Sequence, residues 1–192
     1  MKKSVGAKTI VYPTPVFIVG TYDGDGKPDM MTAAWGGISS SKPPCVSISL
    51  QKQRYTYKNL VERGAFTINI PSEEYVNESD YFGMVSGRDE DKLFNTNLTP
   101  VKSEIVDAPY IREFPLILEC KVVHTVDLGM HTQFTGEIID VKVDEDATDS
   151  SGIPDINKIK PFMYDPAAVA YYGIGKNLGQ AFKLGKKIIK DK

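Results

Sequence analysis

Apolar and polar residues alternate with a period of two along most of the chain, which predicts strands more often than helices. In Val46-Ser47-Ile48-Ser49-Leu50 the aliphatic residues face one side and both serines the other. Phe66-Thr67-Ile68-Asn69-Ile70 repeats the pattern. Residues 16–22 read as a strand, and Asp23-Gly24-Asp25-Gly26 behind them carries two Asp-Gly pairs, a strong hairpin signal. The return strand runs from Pro28 towards Trp35. Two long strands follow at 116–126 and 133–143, and another at 167–173. Helical periodicity is confined to three places. A short helix is predicted at 56–63, with Thr56 as N-cap and Gly64 as its stop. A helical turn or two is expected within 73–84. An amphipathic helix is predicted at 178–189, with Leu178, Ala181, Phe182, Ile188 and Ile189 on one face and lysines opposite. The polar stretch 144–160 reads as a loop.

Many strands of 5–11 residues joined by Gly/Asp turns predict a mainly-β fold, an antiparallel barrel with a few short helices. No repeat or linker divides the 192 residues, so one domain is expected over 1–192, with a barrel at about 13–175 and a helical tail at about 176–192.

Composition narrows the function classes. Apolar residues at 41% and charged residues at 25% are typical of a soluble globular protein. A net charge of −2 provides no field for nucleic acid, and no apolar stretch is long enough for a membrane span. Pro13 and Pro15 interrupt the N-terminal region and no cleavage site follows, so no signal peptide is expected. On that basis Cys45 and Cys120, far apart and outside any CxxC, read as reduced core thiols of a cytoplasmic protein. No P-loop, dinucleotide fingerprint, HExxH, nucleophile elbow or Cys/His metal cluster is present, and no metal is expected.

Two segments carry candidate chemistry. Met31, Thr32, Ala33, Ala34 and Trp35 precede Gly36-Gly37. Their small side chains would let a flat ligand approach the alternating N–H and C=O groups of a strand edge; a plain barrel strand at a crossing accounts for them equally. In the second segment, Ser47 and Ser49 stand on the non-core face, and Leu50, Gln51, Arg54, Tyr55 and Thr56 lead into the predicted helix. A helix N-terminus favours phosphate, and Arg54 can add bidentate hydrogen bonds; a solvated turn is the alternative. Together the two segments make a ring site followed by a phosphate site, which is what a mononucleotide needs. His131 begins a strand beside a glycine, at an expected barrel rim. His124 falls on the apolar face of its strand with Leu118, Cys120 and Val122 and reads as a core histidine. Tyr164, Tyr171 and Tyr172 read as core or interface aromatics, with stacking on a ligand as the other possibility.

The pieces MTAAWGGISSSKPPCVSISL, RYTYKNL, FTINIP, SGRDEDKLFNTNLTP, FPLILECKVV and LGMHTQFTGEIIDV, in that order, resemble the flavin reductase-like, FMN-binding split-barrel family over residues 13–175. The resemblance implies a Greek-key split barrel, a homodimer with non-covalent FMN near the dimer interface, and work as a flavin reductase or flavoredoxin-type electron carrier. By it, residues 31–35 would border the isoalloxazine, 47–51 the ribityl chain, and Arg54, Tyr55 and Thr56 the phosphate. Lys92 matches a lysine that reaches the flavin site. His131 matches a histidine that helps receive NADH or NADPH, although Met130 stands where that branch has aspartate. The acceptor would be free flavin, a redox partner protein or an inorganic compound. A flavin-binding module without turnover, or a related pyridoxamine-phosphate-oxidase-like or haem-binding barrel, are the other classes considered.

Overall fold

The alternating segments form an antiparallel seven-stranded sheet in the computed structural model, which describes residues 1–189. In spatial order its strands are β3 (Pro28–Ala33), β2 (Phe17–Tyr22), β6 (Ala65–Ile70), β9 (Leu116–Asp127), β10 (His131–Val143), β5 (Pro44–Gln51) and β4 (Gly36–Ser41). A second sheet joins β1 (Thr14–Pro15), β11 (Phe162–Asp165) and β12 (Ala170–Gly173), and a third pairs β7 (Pro100–Lys102) with β8 (Pro109–Ile111). The helices are α1 (Tyr55–Arg63), α2 (Val76–Met84), α3 (Lys92–Thr96) and α4 (Ile156–Ile159), with short 3-10 turns at Glu73–Tyr75, Glu145–Ala147 and Leu184–Ile188.

The large sheet curls into a barrel because most of its strands turn an apolar face inward. Val46, Ile48 and Leu50 meet Val19, Phe66, Ile68 and Phe134 inside it. Strand β2 is buried on both faces. Val19 points into the barrel, while Ile18 packs outward with Met30, Phe82, Leu93 and Phe114 beneath α2 and α3. That second core explains why β2 reads as a continuous apolar run. At Gly136 the ladder of β10 on β9 shifts register, and a Cβ there would lie 2.6 Å from the Phe66 ring. Glycine at this bend therefore lets the sheet close on its core.

The β2–β3 turn follows the Asp-Gly signal. Asp23 accepts the N–H groups of Asp25 and Lys27 on Oδ1 and the Tyr55 hydroxyl on Oδ2. Burial alone would raise its carboxyl pKa, but these bonds outweigh that and hold it below the usual range.

Several expectations are corrected. Helix α1 starts at Tyr55, with Arg54 at the N-cap position and no side-chain capping bond. Thr56 is inside the first turn and donates its hydroxyl to Asp29 Oδ2 at 2.7 Å instead. Gly64 does end the helix, in the left-handed conformation. Residues 178–189 do not form an α-helix: only the 3-10 turn Leu184–Ile188 appears. Gly179 and Phe182 both have positive φ, and Leu178 and Phe182 lie exposed, so no packing supports a marginal helix. Residues 190–192, the end of the expected helical tail, lie outside the described residues. His124 is exposed rather than in the core, because the register shift between Thr135 and Gly136 skips Val123 and sets His124 opposite Thr135, on the face away from the core. The 144–160 loop contains α4 and a 3-10 turn. Cys45 and Cys120 are free and buried, as expected.

Candidate functional site

The barrel is open along one seam. Strand β3 is an edge of the large sheet, and β4 pairs with β5 only as far as Gly36 opposite Ile48. One bond, from Ser49 N–H to the Trp35 carbonyl at 2.8 Å, pins the chain just beyond. Past it, the end of β5 and the edge of β3 are not paired with each other. Between them lies a cavity of about 170 Å³ walled by residues 31–35, Ser49, Leu50, Gln51, Arg54 and His131. An edge strand presents a row of free N–H and C=O groups, so the seam offers both donors and acceptors to a flat ligand.

Side-chain directions show why the backbone dominates this wall. Met31, Ala33 and Leu50 point into the core. Thr32 turns towards α2 and donates to the Ser79 carbonyl. Trp35 and Ser49 are half-buried, and Gln51 accepts a bond from Gln53 at 2.8 Å. Ser47 is displaced from the group: it bonds Thr135 at 3.0 Å and lines a neighbouring cleft beyond Trp35.

A second cavity of about 220 Å³ adjoins the first, sharing Met31 and Arg54. Its wall combines the start of α1, at Arg54, Tyr55 and Thr56, with Ser86, Gly87, Arg88 and Lys92. The amides of Tyr55 and Thr56 open the helix and favour an anion. Arg54 spends one N–H on the Gly83 carbonyl at 3.1 Å and keeps the rest of its fork free. Arg88 lies over the Tyr55 ring, 5.4 Å from its centre. Burial and the bond to Asp23 raise the Tyr55 hydroxyl's pKa. The two cavities together fall in the range of roughly 300–1,000 Å³ typical of small-molecule sites.

Lys92 reaches this wall from α3, but its ammonium is already engaged. It lies 2.9 Å from Asp29 Oδ1, donates to the Met30 carbonyl, and both ionic side chains are 4% exposed. Asp29 thus ties Lys92 to Thr56, and the other charged side chains on the cavity wall are Arg54, Arg88 and Asp89, two cations to one anion. Lys52 is outside both cavities and is paired with Asp127 at 2.6 Å.

Ser86, Gly87 and Arg88 line the second cavity and Asp29 holds Lys92 and Thr56 behind its wall; the pattern analysis singled out none of the four. Gly87 is required: a Cβ there would be 2.4 Å from Asp29 Oδ1 and 3.0 Å from the Tyr55 ring. The Ser-Gly-Arg triplet opens one of the sequence pieces that carry the family resemblance, and that was the available signal. His131 begins β10 opposite Gln51 and closes the far end of the seam. Tyr164 and Tyr171 are elsewhere, packed with Phe162 in the small sheet, and the Tyr171 hydroxyl bonds Asp80 at 2.9 Å. Among the described residues, no cluster of metal-ligating side chains occurs and no helix is long and apolar enough to cross a membrane.

Comparison with known proteins gives concordant results. The model of the flavin reductase like domain matches residues 9–171. A protein of Archaeoglobus fulgidus is 35% identical over 147 residues, which span 77% of this chain and 81% of the relative. The solved flavoredoxin of Desulfovibrio vulgaris (Miyazaki F) is 53% identical, with a TM-score of 0.93, covering 96% of this chain and 100% of its own. Flavoredoxin from Methanosarcina acetivorans is 31% identical, with a TM-score of 0.92, covering 98% and 100% respectively.

Proposed function

This chain belongs to the flavin reductase-like family, and from that premise we propose that it binds one FMN non-covalently and works as a flavin reductase or flavoredoxin-type electron carrier. The observation that carries the proposal is the junction of two unlike surfaces at Arg54: a seam edged with free backbone groups runs into a cavity bearing two guanidinium groups and a helix start. A mononucleotide has that order of parts, a flat polar ring, a hydroxylated chain and a terminal phosphate.

In this reading the free edge at 31–35 receives the pyrimidine side of the ring, and Trp35 flanks it. Ser49 and Gln51 bond the ribityl hydroxyls. Arg54, Arg88 and the α1 amides hold the phosphate, with charge-assisted bonds about twice as strong as neutral ones. Asp29 orients Lys92 and Thr56 from beneath. The flavin, when bound, supplies the two-electron redox chemistry. The protein's part is to hold it, keep its edge bonded and exclude water from the inner face. His131, at the open end, is positioned to give or take a proton. NADH or NADPH is the electron donor to test first; the acceptor is a partner protein or a small molecule.

A homodimer fits the exposed surface. The turn end of the β9–β10 hairpin leaves Val123, Val126, Leu128 and Met130 uncovered. An apolar patch of this kind calls for a partner. Sedimentation at micromolar concentration should show a dimer, and a monomer would rule this out. Two buried, reduced cysteines suit a cytoplasmic setting. The test of the cofactor is mass spectrometry of the group released from purified protein: FMN at about one per chain is expected, and FAD or no flavin would overturn the proposal.

A further inference from the structure

The seam opens at one end into a third space of about 460 Å³ with a different character. It shares Ala34, Trp35, Ser49 and His131 with the seam, so anything within it would lie against the ring site proposed above. Val11, Pro13 and Pro15 contribute one part of its wall, and Trp35 and Leu128 another. Among the described residues, no Asp, Glu, Lys or Arg lines it. The formal charge next to Leu128 in sequence, Asp127, is paired with Lys52 at 2.6 Å, and Lys8, next to Thr9, is not part of the wall.

The N-terminal wall is built rather than loosely draped. The Tyr12 hydroxyl donates to Asp165 at 2.9 Å, the Thr14 hydroxyl donates to the Val11 carbonyl at 2.5 Å, and β1 pairs with β11. Asp165 is itself fixed by the N–H groups of Ala167 and Ala168. The polar side chains left to meet a ligand are few: the Thr9 hydroxyl on the N-terminal wall, and the Ser49 hydroxyl and the His131 ring at the boundary with the seam.

Resting on the flavin reading, the geometry points to this cleft as the site of a small, uncharged, planar conjugated carbonyl compound of the quinone type. A flat apolar body matches the proline and tryptophan walls. A carbonyl oxygen matches the donors at Ser49 and His131. An anionic ligand, including a nicotinamide dinucleotide with its diphosphate, would have to leave water for a wall that offers no cation, which is costly. The cleft therefore selects against charge more than against size.

Calorimetric titration of the flavin-loaded protein tests this, with 2-methyl-1,4-naphthoquinone, its anionic analogue 1,4-naphthoquinone-2-sulfonate, and NADH as probes. The neutral quinone should bind saturably, and the sulfonate and NADH roughly tenfold more weakly or worse. Val11 is 70% exposed and lines the cleft but not the seam, so changes there spare both fold and flavin. Val11→Trp should weaken the neutral quinone about tenfold with flavin content unchanged, and Val11→Lys should strengthen the sulfonate. Equal or tighter binding of the sulfonate or NADH, no saturable quinone binding, or no effect of Val11→Trp would overturn the assignment. Flavin content is read separately from absorbance, so failure of the flavin reading shows on its own. The walls are protein alone, and the same titration of flavin-free chain then decides the cleft.

Discussion

Replacing Arg54 by alanine isolates the phosphate end of the proposed site. The side chain is exposed, makes a single bond to the Gly83 carbonyl at 3.1 Å, and fills no core space. Its loss should cost the fold little, at most the net worth of one hydrogen bond to a charged group. Binding is different. A guanidinium pairing with a phosphate at the start of α1 supplies charge-assisted bonds of roughly 1.5–3 kcal/mol. That is about tenfold to a hundredfold in dissociation constant. Lys52→Ala is the matched control, because Lys52 is nearby in sequence but outside both cavities and held by Asp127. It should change the affinity by less than about threefold. The assay is titration of flavin-free protein with FMN, followed by quenching of flavin fluorescence, alongside a denaturant melt of each variant. Equal affinities for Arg54→Ala and the unmodified protein, with both folded, would mean that the phosphate is held elsewhere.

Lys92→Ala should act mainly on stability, since it leaves Asp29 buried and unpaired; a loss of about 3–5 kcal/mol is expected from urea unfolding. His131→Ala should leave the FMN dissociation constant within about threefold, because His131 is at the opposite end of the seam from Arg88, while slowing reduction by NADH if that is the donor; stopped-flow absorbance separates the two effects. The Cys120 thiol is pushed up to about 12 from 9.0, chiefly by burial. The unfolded chain releases that proton above about pH 9 and the folded chain keeps it, so this contribution to stability is intact below pH 9 and lost as pH rises towards 12, at about 1.4 kcal/mol per pH unit. Thiol labelling should accordingly find Cys120 silent at pH 9.5 until the protein unfolds, and rapid labelling of folded protein would contradict the burial argument.

The barrel was readable because its strands obey a simple rule: Val46, Ile48 and Leu50 alternate with serines, and each lands inside. Gly64 and the Asp23 turn were legible for the same reason, as local backbone chemistry fixes them. What failed depended on neighbours distant in sequence. Thr56 has the composition of a cap, yet Asp29, 27 positions earlier, captures its hydroxyl. His124 has the periodicity of a core residue, but the register shift of β9 on β10 at Gly136 breaks that periodicity and turns it outward. The 178–189 segment has an amphipathic pattern, but among the described residues its apolar side chains Leu178, Phe182, Ile188 and Ile189 stay exposed. Strand β4, with two glycines and three serines, lacks any hydrophobic alternation and is defined by its pairing to β5. In the site, Arg54, Tyr55 and residues 31–35 could be singled out from local chemistry. Ser86, Gly87 and Arg88 could not, because only the close packing of Gly87 on Asp29 and Tyr55 brings that loop to the start of α1.

The central claim is that one FMN occupies the seam between β3 and β5 with its phosphate at the start of α1. A crystal structure of the protein grown with FMN tests it directly. The account predicts difference density for a flat ring against residues 31–35 and for a phosphate within hydrogen-bond distance of the Arg54 guanidinium and the Thr56 amide. A flavin found outside the seam, or one lying in it with its phosphate directed away from Arg54 towards His131, would contradict the account.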